Sequence, residues 1–255
     1  MEGVIYFFVF VLGASFGSLY HVVGYRMPKG ENWVSDRSRC PECDHQLRGY
    51  ELIPMLSYAL QGGKCRSCGI KIPFIYLLAE ILSGLLFVFP VWFYGFQGFM
   101  TGEIYLAWVF VSLLIIITVS DLYYQLILDK VLLFFSALLV LLQFIYPIHS
   151  LGSRVSGALV GFFTLYAIGL LGQFFFKKEA LGGGDIKLYA VIGWVLGISS
   201  TLLSLFLAAI IALFYIAIFM KDKTKPLGFG PFIALAAYLC LFYGQLLLNW
   251  YLELF

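Results

Sequence analysis

Charge is what this chain has least of. Asp, Glu, Lys and Arg make up 12% of its 255 residues, against 62% hydrophobic residues, and its mean hydropathy is +0.95. Soluble domains carry about 25% charged and about 45–50% apolar residues. A water-soluble globule is therefore excluded, and an all-α polytopic membrane protein is expected. The net charge of +2 is too small to imply a nucleic-acid partner. The opening "MEGVIYFFVFVLGASFG" lacks a basic n-region and a clean cleavage site, so it reads as a retained helix rather than a signal peptide. Also missing are an inverted repeat, the mark of many transporters, and a glycine-rich nucleotide fingerprint.

What is present is a series of apolar runs of about 20 residues, the length that crosses a bilayer. The candidates are 4–24, 73–94, 104–120, 127–147, 155–176, 186–196, 199–220 and 229–252, about eight in all. The 186–196 piece is short and spans only if its helix begins inside the glycines before it. Cytoplasmic loops are enriched in Lys and Arg. With the N-terminus outside, eight spans put every basic residue but Arg154 on the inner side, including Lys177, Lys178, Lys221, Lys223 and Lys225. A multi-pass membrane protein with a cytoplasmic loop between its first two helices is the expectation.

The same alternation puts two acids at one membrane depth. Asp121 ends the run "VFVSLLIIITVS", and Asp185 follows three glycines, Gly182, Gly183 and Gly184. Ionisable groups at such positions suggest function. Two readings stand for Asp185: a first-turn acid favoured by the helix dipole, or a functional carboxylate. Asp121 would sit at a helix C-terminal end, where the dipole disfavours an anion, so function is the better reading there. If the two meet in a low-dielectric site, they cannot easily both ionise and share a proton. The ionised one can then deprotonate water while the protonated one donates to a peptide carbonyl. The glycines would let a substrate backbone approach and let Asp185 move. Lys187 could tune the pair, but reads better as a contact to lipid phosphate or solvent. Asp129 reads as the acid that starts a helix. Glu80, about two turns inside a span, needs a polar partner or a wet cavity. His21 reads as an interface or packing residue.

Four of the five cysteines form Cys40-x2-Cys43 and Cys65-x2-Cys68, separated by residues 44–64. This spacing suits a four-thiolate zinc site. The loop is too poor in apolar residues for its own core, so a metal would supply folding energy. Disulfides are disfavoured on a cytoplasmic face. Four cysteines leave no open coordination position, so the zinc role is structural. Cys240 stands alone in an apolar run and reads as a packing residue.

Taken together, these motifs resemble those of a prepilin peptidase, the leader peptidase and N-methyltransferase of type IV pilus, type II secretion and competence systems. The resemblance is carried by "GASFGSLYHVVGYRMPKGE", "SRCPECDHQLRGYELIPMLSYALQGGKCRSCG", "IPFIYLLAE", "SDLYYQLILD", "GGGDIKL" and "PLGFGPFIALAA". It implies Asp121 and Asp185 as the catalytic aspartates, with Asp129 as companion, in a Gly-x-Gly-Asp aspartic protease. It also implies prepilin or pilin-like substrates, cleavage after a glycine at the cytoplasmic membrane face, and methylation of the new N-terminus with S-adenosylmethionine. The chain departs from the family at Leu128, where proline is common, and near Ser18, where asparagine is common. The expected organisation is a first transmembrane helix (1–24), a zinc-binding loop domain (25–72) and a transmembrane peptidase core (73–255). A homodimer is compatible with this reading. The competing readings are a proton- or cation-coupled transporter using Asp121, Asp185 and Glu80, a membrane scaffold that recruits a partner through the zinc loop, and a preflagellin- or presenilin-like protease.

Overall fold

The computed structural model describes residues 2–40, 42–177, 182–220 and 227–253. Lys178, Lys221, Lys223 and Lys225, expected in inner loops, lie outside them. The described residues form helices and turns, with two isolated β-bridges and no strand. The chain divides into two compact units, Met1–Gly98 and Phe99–Phe255.

The first unit holds α1 (Glu2–Arg26), the short α2 (Leu56–Leu60) and α3 (Phe74–Tyr94). Helix α1 begins with Glu2 and ends with Arg26, each at the end of the dipole that favours its charge. Helices α1 and α3 pack closely because their facing residues are small. A Cβ on Gly13 would fall 2.6 Å from Phe87, one on Gly17 would collide with Ser83, and one on Gly84 would fall 2.6 Å from Phe10. Without a hydrophobic drive between helices in lipid, such small-residue contacts supply much of the association.

The short α4 (Gln97–Thr101) leads into the second unit, which holds α5 (Glu103–Tyr124), α6 (Asp129–Ile145), α7 (Leu151–Phe176), α8 (Gly183–Phe219) and α9 (Gly230–Leu252). Helix α5 is the most buried of the long helices, with Phe110, Leu113 and Ile117 fully enclosed. Large apolar side chains elsewhere, such as Phe174, Phe206, Leu213 and Ile218, are exposed. In water they would be a liability; in a bilayer they face a solvent as apolar as themselves.

Helix α8 is not one rod. Gly197 has φ 73° and ψ 178° inside it, a conformation open essentially to glycine alone. The carbonyl of Tyr189 and the methyl of Thr201 both lie against Gly161 of α7. An unbroken helix would hold residues twelve apart about 18 Å from each other, so the chain doubles back at Gly197. The arms are residues 183–196 and 198–219. The first is about 21 Å long, short of the roughly 30 Å apolar thickness of a bilayer. It starts within the glycine stretch, at Gly183, as the short 186–196 run required. Gly157 and Gly193 let α7 and this arm touch backbone to backbone, since a Cβ on either would collide with the other's main chain.

Among the described residues, six helices are long and apolar enough to cross a membrane. With α8 taken as its two arms, and the 17-residue α6 added, the expected eight apolar segments are all present. The figure of eight is approximate, because it counts one short arm and one short helix.

Candidate functional site

The second unit brings together acids that are far apart in sequence. Asp121 lies in the last turn of α5, which ends when Gln125 turns into the left-handed region (φ 52°) and closes back on the Asp121 carbonyl. The Asp121 side chain is buried, with 5% of the residue exposed. Its Oδ2 accepts a 2.7 Å hydrogen bond from the backbone N–H of Gly230, the first residue of α9. The carboxylate that is misplaced for its own helix is thus well placed for another, at the positive N-terminus of α9. Pro231 sits in that first turn, where its missing N–H costs nothing. A Cβ on Gly228 would collide with Asp121, and one on Gly230 would lie 2.9 Å from Oδ2.

Asp185 occupies the third helical position of α8, counted from Gly182 as the N-cap. Its carboxylate accepts from the backbone of Gly182, the reach-back half of a capping box. It also lies within electrostatic reach of Asp121, which brings the two acids to the N-termini of α8 and α9. The first-turn, capping reading of Asp185 is what its geometry shows. The three glycines differ in role. A Cβ on Gly184 would fall 2.7 Å from Ile127, whereas one on Gly183 would meet nothing within 4 Å among the described residues.

Asp129 begins α6, as its sequence position suggested. It pairs with Lys187, whose Nζ lies 2.9 and 2.8 Å from its two oxygens. The lysine therefore has a protein partner rather than serving lipid or solvent alone. Both side chains are more than half exposed, so the pair adds at most about 1 kcal/mol. Its contribution is geometric: it ties the start of α8, two residues beyond Asp185, to the start of α6. Leu128, before Asp129, adopts φ −77°, near the angle that a proline would impose.

In the first unit, the four cysteines converge. The Sγ atoms of Cys40, Cys43, Cys65 and Cys68 all lie within 4.8 Å of one another. The separations Cys40–Cys68 and Cys43–Cys65 are 3.8 and 3.9 Å. These are far beyond a disulfide bond. Zinc–sulfur bonds of roughly 2.3 Å put the corners of a tetrahedron about 3.8 Å apart, so the thiols fit a tetrahedral metal ion. The two Cys-x2-Cys segments fold alike. Asp44 N–H donates to the Cys40 carbonyl and Gly69 N–H to that of Cys65. Both Asp44 and Gly69 have positive φ, and the bridges Arg39–Gln46 and Lys64–Lys71 close the two turns. Backbone N–H groups of Cys68 and Ser67 aimed at the Cys65 sulfur lower that thiol, while burial and the neighbouring sulfurs raise that of Cys68. Glu51 braces the loop from inside. It is buried, accepts from Arg48 N–H at 2.8 Å and stands 3.4 Å from His45 Nε2.

Glu80 lies in the first unit on α3, accepts a 2.7 Å hydrogen bond from Met55 N–H and has Ser18 of α1 within bonding reach. It lines a cavity of about 460 Å³ between the helix ends and the cysteine loop. His21 lines the same cavity, packed at 4.7 Å against the Tyr76 ring. Sequence reasoning gave no role to Gly228 and Gly230 or to Met55. The segment "LGFGP" carried the only signal, glycines around a helix-starting proline, and nothing local tied it to an acid 109 positions away.

Comparison with known proteins yields two family matches. Residues 11–94 match the bacterial Peptidase A24 N-terminal domain, and residues 108–217 match the type IV leader peptidase family. The prepilin leader peptidase/N-methyltransferase of Bacillus subtilis (strain 168) is 36% identical over 96% of this chain and 97% of its own. The proteins of the same name from Dichelobacter nodosus and Pseudomonas aeruginosa are 31% identical (93% of this chain, 91% of theirs) and 29% identical (95% and 92%). No solved structure matches the chain.

Proposed function

The chain belongs to the type IV leader peptidase family, and from that premise we propose that it is a multi-pass membrane aspartic endopeptidase that cleaves the leader of prepilin-like proteins and methylates the new N-terminus. The observation that supports the peptidase reading is that Asp121 and Asp185 stand at two helix N-termini within electrostatic reach of one another. A transporter reading has no such need for glycines on both sides of the pair.

In the proposed reaction the pair holds one proton. The ionised carboxylate takes a proton from a water molecule, whose oxygen attacks the scissile carbonyl carbon. The protonated carboxyl donates to the carbonyl oxygen as the tetrahedral intermediate forms. On collapse the C–N bond breaks, the leaving nitrogen takes a proton from the pair, a hydroxyl of the intermediate returns one to it, and the products are a leader carboxyl group and a free amine, with the pair again holding one proton. The helix N-termini that hold the carboxylates disfavour full protonation of the pair and keep one charge available. That a Cβ on Gly183 would meet nothing within 4 Å among the described residues supports an extended substrate backbone beside Asp185.

The cysteine cluster is read as a structural zinc site, supported by sulfur separations that suit the ion. S-adenosylmethionine, when bound, supplies a methyl group to the amine released by cleavage. The proposed orientation puts the N-terminus outside and the cysteine loop in the cytoplasm, where 15 of the 16 basic residues would lie.

The test is cleavage of a prepilin by purified protein in detergent. Asp121→Asn and Asp185→Asn should each abolish cleavage with zinc content unchanged. Near-normal processing by either variant sinks the two-aspartate mechanism.

A further inference from the structure

Helix α2 is amphipathic the wrong way round for a segment of a polar loop. Ser57 and Gln61 turn inward and line the cavity of the first unit. Ile53, Leu56 and Leu60 are instead 45%, 51% and 69% exposed. Leu56 and Leu60, four residues apart, share one face of α2, and Ile53 precedes it by one turn. Exposed apolar groups gathered in one place mark an interaction surface.

Hydrogen bonds fix the level of this face along the long helices. Met55, just before α2, donates its N–H to Glu80 at 2.7 Å. Glu80 stands six residues into α3, about 9 Å along it from Phe74. Its side chain leans back toward the helix start, so Met55 lies about 5–9 Å past Phe74. Ser18 of α1 reaches the same carboxylate. After α2 the chain returns to the start of α3. Ile72 N–H donates to the Gly63 carbonyl at 2.8 Å, and the Tyr58 hydroxyl donates to the Ile72 carbonyl at 3.3 Å. Helix α2 therefore runs along the flank of the first two turns of α3, in the opposite direction. The turn into this flank is strained, since Met55 adopts φ 60° and ψ −47°, an outlying conformation for a residue with a side chain.

Helix α3 has 21 residues, about 31 Å of helix against the roughly 30 Å apolar thickness of a bilayer. Its first two turns thus belong to the boundary between acyl chains and headgroups. Phe74 and Ile75 are exposed there, and the outward face of α2 continues their surface. Interfacial helices bury their apolar faces about 5–10 Å into this boundary, the level to which Met55 is tied. Charge agrees. Residues 46–72 carry Arg48, Lys64, Arg66 and Lys71 against a single acid, Glu51, which is buried. Arg48 Nη1 donates to the Tyr50 hydroxyl at 3.4 Å, and the Arg66 guanidinium lies 5.0 Å from the centre of the same ring. Tyrosine and basic side chains are anchors at headgroup level. We propose that α2 docks the cysteine loop on the bilayer surface, with Ile53, Leu56 and Leu60 in the acyl boundary and Arg48, Lys64 and Arg66 toward lipid phosphates. The partner is the phospholipid leaflet on the loop's own side. The inference rests on the reading of α1 and α3 as membrane spans.

The experiment uses the full-length wild-type protein in nanodiscs that contain phosphatidylglycerol. A phospholipid with a diazirine near the top of its acyl chain is photolysed, and labelled residues are mapped by mass spectrometry. A water-soluble diazirine is used in parallel. The lipid probe should label Leu56 and Leu60 about five-fold or more above residues 35–37 of the same loop, and within about three-fold of Phe74 and Ile75. Lipid label on Phe74 and Ile75 with only aqueous label on residues 53–60 overturns the docking and leaves the spans standing; the face is then open to a protein partner. Label from neither probe on residues 53–60 means that protein covers the face, and also overturns the docking. Absence of lipid label from α1 and α3 overturns the spanning reading and the docking together.

Discussion

The backbone N–H of Gly230 donates to Asp121 Oδ2 at 2.7 Å, joining the end of α5 to the start of α9. An acid in the last turn of a helix is disfavoured by its own dipole, and the first turn of α9 offsets this by a contribution of about 1 kcal/mol or less. The bond also fixes where the carboxylate points. Gly228 and Gly230 make it possible by bringing main chain into contact with the acid, without side chains between them.

Adding a single methyl group there should therefore disable the pair while leaving the fold. For Gly230→Ala, the new Cβ would sit 2.9 Å from Oδ2, and the carboxylate must shift. A misplacement of that order costs about 10²-fold in rate. The expected result is cleavage reduced by about this factor for Gly230→Ala, with a melting temperature close to wild type. Gly152→Ala, whose Cβ meets nothing within 4 Å, serves as the neutral comparison. Normal cleavage by Gly230→Ala would show that the contact does not position Asp121.

Gly197 makes a sharper claim about folding. Alanine in its conformation costs about 1–3 kcal/mol in backbone strain, and its Cβ would also press on Ser153 Oγ at 2.9 Å. Gly197→Ala should lower the thermal midpoint clearly in detergent, with cleavage lost at temperatures the wild type tolerates. An unchanged midpoint would contradict the reversal of α8 at this residue.

The cysteine loop should depend on its metal. Cys43→Ser combined with Cys68→Ser removes two of the four sulfurs, and one equivalent of zinc should be lost from the purified protein by atomic absorption. Residues 27–72 should then become sensitive to limited proteolysis, because the metal supplies the folding energy that the loop's sparse apolar content cannot. Full zinc content in this variant would exclude these ligands.

Acid should loosen the same loop through Glu51. The Arg48 N–H holds the Glu51 carboxyl below its ordinary value of 4.5, aided by His45. A group whose folded value is depressed gives its full stabilisation above the unfolded value and loses it as pH falls through the folded one. Loop stability contributed by Glu51 is thus constant above about pH 5 and declines below 4.5. Glu51→Gln should be less stable than wild type at neutral pH, and the difference should shrink on acidification. Protease protection of residues 27–72, measured against pH, reads this out. A difference that grows on acidification would reverse the assigned sign.

The sequence by itself determined a good deal. Hydropathy sets the apolar helices, because a backbone in lipid must satisfy its own hydrogen bonds. Cysteine spacing sets the four-cysteine cluster, because both halves of that motif close local turns of the same kind. The sequence also singled out Asp121, Asp185 and Glu80, because charge in such a chain is rare and costly. Tertiary structure decided what each acid does. Asp121 meets a helix that starts 109 positions later, Asp129 takes Lys187 from 58 positions away, and Glu80 lines a cavity within the first unit. It also decided that the run 183–219 is two arms, since only packing against Gly161 and Gly157 of α7 reveals the reversal at Gly197. Periodicity and hydropathy report what a segment prefers along its own axis. Which helix end faces which carboxylate depends on where small residues let backbones touch, and those contacts belong to pairs of helices.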